Sequence, residues 1–304
     1  MPQQTECIAD DGRLHVVKLQ RRQRRDLEME VFSPDGRLVG SASLPRRVDR
    51  AAIEGLDPHV TYEVRVRRAH RLSRYRNPER TFSAQPRTRD LRVLITGSGR
   101  CGTNTLADYL DGRHFADGTP VIARHEPLSH WMLDAFIAGD QQFPVLQQRG
   151  ALHNVESAPY YSIYPEVIRA DKTVMLIRDG RRVVQSGLLR GWYVRQSRWD
   201  YIKPDYGLGQ FESSCMLWVE CNRNAASRAD HVFRLEDLAL GHDHLREFDA
   251  AVGLEPQDTT FPHSNRGATT SESFHAWTDE QREVFDAICG RMMDEYYPGW
   301  RDAD

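Results

Sequence analysis

Two short segments carry residues whose types and spacing suit anion chemistry. Residues 91–105 read LRVLITGSGRCGTNT, and residues 174–186 read VMLIRDGRRVVQS. Each is an apolar run that breaks into a turn rich in Gly and Arg, followed by residues able to start a helix. In the first, Gly97, Gly99 and Gly102 let the backbone turn sharply with its N–H groups inward, and the helix N-terminus behind them favours negative charge. Thr103 and Thr105 add hydroxyl donors, and Arg100 adds a permanently charged fork. In the second, Arg178 stands at the carboxyl end of an apolar strand, where ligands bind in open α/β sheets. Ser186 follows on the next helix. Two anion sites in one chain predict a doubly phosphorylated ligand.

Each segment has a plainer alternative. The first also fits an ordinary Gly-rich strand-to-helix turn, and its G-x-G-x-x-G pattern describes a nicotinamide-cofactor turn as well. It is not a nucleoside-triphosphatase loop, because Thr103 stands where such a loop carries Lys. In the second, Arg178 has Asp179 beside it as a potential ion-pair partner. For proton transfer, the run VIARHEP (residues 121–127) reads as a strand ending in an acid. Glu126 is the first choice of base and His125 the second, since an imidazole titrates near neutrality; a carboxylate merely paired with Arg124 is the alternative. Glu156 is a further candidate, as an acid that positions an acceptor. Trp192, Tyr193, Trp199 and Tyr201 either stack on a sugar or adenine, or pack a loop. His242 and His244 read as surface residues, and no metal-ligand cluster is expected.

These side chains need a scaffold, and the chain is long enough for two domains, 1–88 and 89–304. In the first, Leu27, Met29 and Val31 alternate with Glu28 and Glu30, and Val64 and Val66 with Arg65 and Arg67, which is the period of half-buried strands. In the second, strand-like runs (91–95, 121–123, 174–177, 231–235) alternate with helix-like ones (102–110, 180–189, 212–229, 245–252, 278–296). That pattern predicts a parallel sheet covered by helices. Thr278 with Gln281 three residues on predicts a capping box at the start of the last helix. The expected fold class is therefore α/β, a parallel sheet flanked by helices, preceded by a small all-β sandwich.

Composition excludes some classes. Net charge is −3 and no apolar stretch is long enough for a membrane span. The first residues show no secretory pattern, and five scattered cysteines fit a reducing, cytoplasmic setting better than disulfides. Residues 1–90 are net basic, almost entirely through Arg; a solvated surface accounts for this, and no nucleic-acid partner is expected.

Two resemblances follow from these residues. IEGLDPHVTYEVRV (residues 53–66) resembles the fibronectin type III signature: Leu56, Pro58 and Tyr62 have the spacing of the corner whose Tyr hydroxyl bonds to upstream backbone. Residues 91–300 resemble the sulfotransferases that use 3′-phosphoadenosine-5′-phosphosulfate, which have a P-loop-like fold. Gly99, Arg100, Cys101, Gly102, Thr103 and Asn104 match that family's 5′-phosphosulfate loop, with Thr105 following. Arg178 to Ser186 match its 3′-phosphate motif. FRLEDL (233–238), Arg266 with Gly267, and the C-terminal YYPGW match later elements. The chain departs at Gly99, Cys101, Asn104, Gly180 and Arg182. The resemblance implies sulfuryl transfer to a hydroxyl or amine of a small-molecule or carbohydrate acceptor. Arg100 would stabilise the transferring group, Glu126 or His125 would act as base, and no metal would take part. A NAD(P)-dependent oxidoreductase and a non-catalytic nucleotide-binding interaction protein stay open as alternatives.

Overall fold

The computed structural model describes residues 5–10, 13–18, 26–45, 50–57, 60–68, 80–84, 91–127, 129–138, 153–164, 170–194, 197–257, 260–262 and 277–302. They form two compact units, one within residues 1–90 and the other from Leu91 onward, with His130–Ala135 grouping with the first. The predicted boundary at residues 88/89 falls outside the described residues.

The first unit is all β. Its strands are β1 (Thr5–Asp10), β2 (Arg13–Lys18), β3 (Leu27–Phe32), β4 (Leu38–Leu44), β5 (Arg50–Ile53), β6 (Tyr62–Arg68) and β7 (Arg80–Ala84). They make two antiparallel sheets, ordered β1-β2-β5 and β4-β3-β6-β7. The alternation read from the sequence has a simple outcome. Leu27, Met29, Val31, Val64 and Val66 from one sheet share a core with Leu14 and Ile53 from the other. On the other face Arg67 bridges to Glu28 and Glu30 across the β3–β6 pair. Tyr62 is buried, and its hydroxyl accepts a hydrogen bond from the Asp57 amide at 3.0 Å, which fixes the corner into β6. Leu56 packs in the same core; Pro58 lies outside the described residues. This is a fibronectin type III-like sandwich.

The second unit is α/β. Its strands β8 (Val93–Thr96), β9 (Ala123–His125), β10 (Val155–Ser157), β11 (Lys172–Ile177) and β12 (His231–Arg234) form one parallel sheet ordered β12-β11-β8-β10-β9. The described helices of the chain are α1 (Thr103–Leu110), α2 (Ser129–Ala138), α3 (Tyr160–Ile163), α4 (Gly180–Leu189), α5 (Arg198–Ile202), α6 (Gln210–Ala226), α7 (Leu235–Leu240), α8 (His242–Val252) and α9 (Asp279–Tyr296), of which α2 groups largely with the first unit. Strand β11 shows why the sequence there is a continuous apolar run. Val174 and Leu176 face a core with Leu106 of α1 and Phe248 of α8, whereas Met175 and Ile177 face another with Val183 of α4, Trp218 of α6 and Phe285 of α9. A strand buried on both faces has no wet positions to alternate. The capping box holds: Thr278 Oγ1 accepts from the Gln281 amide and Gln281 Oε1 accepts from the Thr278 amide. The five predicted helices lie within a few residues of observed ones, but β9 runs two residues later than the predicted 121–123. Strand β10 and helices α2, α3, α5 and α7 were not predicted.

Candidate functional site

All five strands of the second unit are parallel, so their carboxyl ends meet along one edge, and the chemistry-bearing residues collect there. Strand β8 leads into the Gly-rich turn. A Cβ on Gly97 would lie 2.2 Å from the Leu176 carbonyl oxygen, so only glycine lets the chain leave β8 this close to β11. Gly99 (φ 75°), Arg100 (φ 57°) and Gly102 (φ 95°) all take the left-handed region, the last as N-cap of α1. Among the described residues, none of the amides from Ser98 to Asn104 is spent on a backbone carbonyl. That is a row of donors around a concave turn, a geometry suited to anions. Cys101 sits in this turn with its side chain fully buried, and burial pushes the thiol up to about 11.

The second segment meets the first directly. Arg178, at the end of β11, donates from Nη1 to the Arg100 carbonyl at 3.0 Å, and Arg100 Nε donates to Ser186 Oγ at 3.0 Å. The acid next to Arg178 is occupied elsewhere. Asp179 caps α4 by accepting from the Arg181 amide, and its carboxylate pairs with the Arg181 guanidinium at 2.8 Å. Arg181 in turn donates to the Trp300 carbonyl. Arg178 is thus left without a carboxylate among the described residues, and the Arg178–Asp179 pairing considered from sequence does not occur. Gly180 lets the helix pass Trp218, where a Cβ would meet the indole at 3.0 Å. Arg182 is exposed and faces away from the cavity.

A cavity of about 570 Å³ opens at this junction, entirely within the second unit. Its wall includes the turn from Ser98 to Thr105 except Cys101, with Arg178, His125 and Glu126. Thr103, Asn104 and Thr105 follow the turn into α1, and Ser157 Oγ holds α1 to β10 by donating to the Thr103 carbonyl. Leu235 and Ala239 of α7, with Phe261 and Pro262, give one apolar side; Trp192, Trp199 and Lys203 give another. Arg266 and Gly267 lie outside the described residues.

His125 and Glu126 end β9. Glu126 has φ 42°, and its amide donates to the Ser157 carbonyl at 3.1 Å. The same carbonyl receives His125 Nδ1 at 2.9 Å, so Nδ1 carries the proton and Nε2 is left as the basic nitrogen. Nε2 stands 3.6 Å from Glu126 Oε1, beyond hydrogen-bond length. Burial pushes the Glu126 carboxyl up to about 7, against a smaller opposing pull from Arg100. Burial lowers the His125 pKa, with Arg100 pulling the same way. The Arg100 pKa is also lowered, first by desolvation and then by repulsion from Arg190 and Arg178.

Glu156 does not face this cavity. Its side chain is 0 % exposed and accepts from Tyr160 and Tyr161 hydroxyls and from His153 Nε2 at 2.9 Å, a buried polar network that joins β10 to α3. The aromatic cluster divides: Trp192 and Trp199 line the cavity, Tyr193 packs beside Lys203, and Tyr201 is exposed. His242 and His244 are exposed, and no group of potential metal ligands occurs among the described residues. Sequence reasoning missed Arg190 and Lys203 in the cavity wall. The spacing of Arg190, four residues after Ser186 on one helix face, was the available signal.

No family model and no curated protein matches the chain. Several solved structures resemble the chain at low identity and low TM-score. The chicken CNTN1 FN1–FN3 domains match at 13% identity and TM-score 0.24 over 28% of this chain and 30% of that one. The FN5 domain of Drosophila Lar matches at 18% identity and TM-score 0.18 over 23% and 77%. A β-glucuronidase from Ruminococcus gnavus matches at 8% identity and TM-score 0.25 over 76% and 60%. The architecture of both units rests on their own strand pairing and cores.

Proposed function

We propose that this chain is a sulfotransferase that moves a sulfuryl group from 3′-phosphoadenosine-5′-phosphosulfate to an acceptor hydroxyl or amine, on a P-loop-like domain. The observation that carries this reading is the direct junction of the two proposed anion-binding segments, Arg178 to Arg100 and Arg100 to Ser186, with Arg100 and Arg178 in the wall of one cavity and Ser186 just behind Arg100. A donor with phosphate groups at the 3′ and 5′ positions of one ribose needs two anion sites only a sugar apart, and segments in direct contact meet that requirement. The turn amides with Arg100 suit the 5′-phosphosulfate, and Arg178 with Ser186 suits the 3′-phosphate.

The chemistry asked of the residues is positioning and charge stabilisation in an in-line displacement. The acceptor oxygen or nitrogen forms a bond to sulfur as the bond from sulfur to the bridging phosphate oxygen breaks, and 3′,5′-ADP leaves. Arg100 neutralises charge on the transferring group without donating a proton. Glu126 takes the acceptor proton, helped by a carboxyl whose pKa of about 7 matches the task.

The oxidoreductase alternative fares worse. It needs an acid free to meet a ribose at the end of the strand beside the Gly-rich turn; that strand is β10, whose acid Glu156 is buried and bonded to His153, Tyr160 and Tyr161, while Glu126 lies one strand further out on β9. Thermal melting with ligands tests the choice. We expect 3′,5′-ADP to raise the melting temperature and NAD to leave it unchanged. Stabilisation by NAD alone would favour the oxidoreductase, and no stabilisation by either would favour the non-catalytic alternative. Transfer of label from radioactive donor to an acceptor panel then tests activity itself.

A further inference from the structure

The walls of the cavity change character along α4. Arg178 precedes the helix, Ser186 with Arg100 comes next, and Arg190 follows Ser186 by four residues, one turn and about 6 Å further along the same face. Arg190 lines the cavity, and among the described residues its side chain makes no hydrogen bond or ion pair. It lies close enough to Arg100 for the two charges to repel. In the donor reading both phosphate groups are matched by other residues, so Arg190 has no task there.

Beyond Arg190 the chain turns back at Gly191 (φ 73°) and lays Trp192 over Gly187 and near Gly99; a Cβ on Gly187 would lie 2.3 Å from the indole. Trp199, tilted against Tyr160 at 6.0 Å, continues this wall. Lys203 lines the cavity with it. Its ammonium sits 5.0 Å from the Trp192 ring centroid and 2.7 Å from Asp200 Oδ1, so its charge is already compensated. One part of the cavity wall therefore offers flat aromatic surface beside a guanidinium that no acid among the described residues neutralises. The one carboxyl in the wall is Glu126.

Resting on the donor reading above, we propose that the acceptor is a ring-bearing hydroxyl compound carrying a carboxylate or sulfate group, with its anion on Arg190 and its ring against Trp192 and Trp199. Guanidinium–oxyanion pairs give strong, directional recognition, and indole faces stack on sugar or aryl rings.

The test is calorimetric titration of the full chain. A first titration with 3′,5′-ADP checks the donor reading by itself; wild-type protein that does not bind it sinks that reading, and the acceptor proposal with it. With 3′,5′-ADP saturating, three probes follow: p-nitrophenyl β-glucuronide, p-nitrophenyl β-glucoside and the 6-sulfate of that glucoside. We expect one or both anionic probes to bind about tenfold or more tightly than the glucoside, and which of them does so separates carboxylate from sulfate. Arg190→Gln should erase that preference and Arg190→Lys should keep part of it. Equal binding of all three probes, or binding of none, overturns the proposal. So does an Arg190→Gln protein that loses 3′,5′-ADP as severely as Arg178→Ala, because Arg190 would then belong to the donor.

Discussion

Glu126 combines three properties that no stretch of sequence displays together: a left-handed backbone, burial, and a position at the cavity wall. Backbone strain at a non-glycine residue persists only where surrounding contacts hold it, here the bond from the Glu126 amide to the Ser157 carbonyl. As a base the carboxyl must be ionised, so turnover should climb with pH toward about 7 and then level. Glu126→Gln should slow turnover by ~10²–10⁴-fold and flatten that acid limb, while 3′,5′-ADP binding persists; steady-state rates across pH check both. Unchanged turnover would move the base to His125. The same shift affects stability. Because the folded state holds the Glu126 proton up to about 7, against an ordinary value of 4.5, the folded form binds more protons across that window. Stability should therefore fall as pH rises through it, and urea melts of Glu126→Gln should lack that part of the slope. Arg178→Ala should weaken 3′,5′-ADP by about 1.5–3 kcal/mol, as for a charged hydrogen bond; it also removes the donor to the Arg100 carbonyl that holds Arg100 at φ 57°. Affinity equal to wild type would make Arg178 structural. Arg178 was legible because an arginine ending a buried strand is conspicuous. Arg190 was legible only in part: its spacing from Ser186 put it on the same helix face, but only the observed pairing shows that, among the described residues, it lacks an acid.

Elements were legible where one physical signal dominated. The strand β11 and helix α4 stand out because an apolar run ends abruptly at Arg178-Asp179-Gly180, and α9 because Thr278 and Gln281 cap it. Strand β10 was invisible. It is three residues long with Glu156 at its centre, and that acid is tolerated only because two tyrosines and a histidine from neighbouring chain satisfy it. Polarity hid a strand that hydrogen bonds from side chains within five residues of Glu156 make possible. The Gly-rich turn was legible as a turn, but the reason for its first glycine was not. Gly97 lies against the Leu176 carbonyl, a contact between β8 and β11 that sequence separation conceals. Gly97→Ala should force the two strands apart at the base of both anion-binding segments. We expect a loss of about 1–3 kcal/mol in stability, as for other overpacked sites, together with a weakened response to 3′,5′-ADP. Chemical denaturation with and without the ligand measures both; an unperturbed midpoint would mean that the turn shifts freely.

On the scale of the whole molecule, the change from period-two alternation to alternating strands and helices marks two units in the sequence itself, and among the described residues their cores have no member in common. The sandwich core draws on Leu14 through Val66, whereas the two cores of the α/β unit begin at Val93 and Met175. A ligand stabilises the cooperative unit that contains its site, by RT ln(1 + [L]/Kd), which is about 2.7 kcal/mol at a hundredfold excess over Kd. Saturating 3′,5′-ADP should therefore raise amide exchange protection most in β8, β11 and α4, whose backbone carries the turn, Arg178 and Ser186. Amides of β3 and β6 in the sandwich should exchange at unchanged rates, since opening that core releases no ligand. Hydrogen exchange by mass spectrometry separates the two regions. Equal protection in both would show that the sandwich opens only together with the nucleotide cavity and would make the chain one cooperative unit, whereas protection confined to β3 and β6 would remove the ligand from the α/β unit altogether.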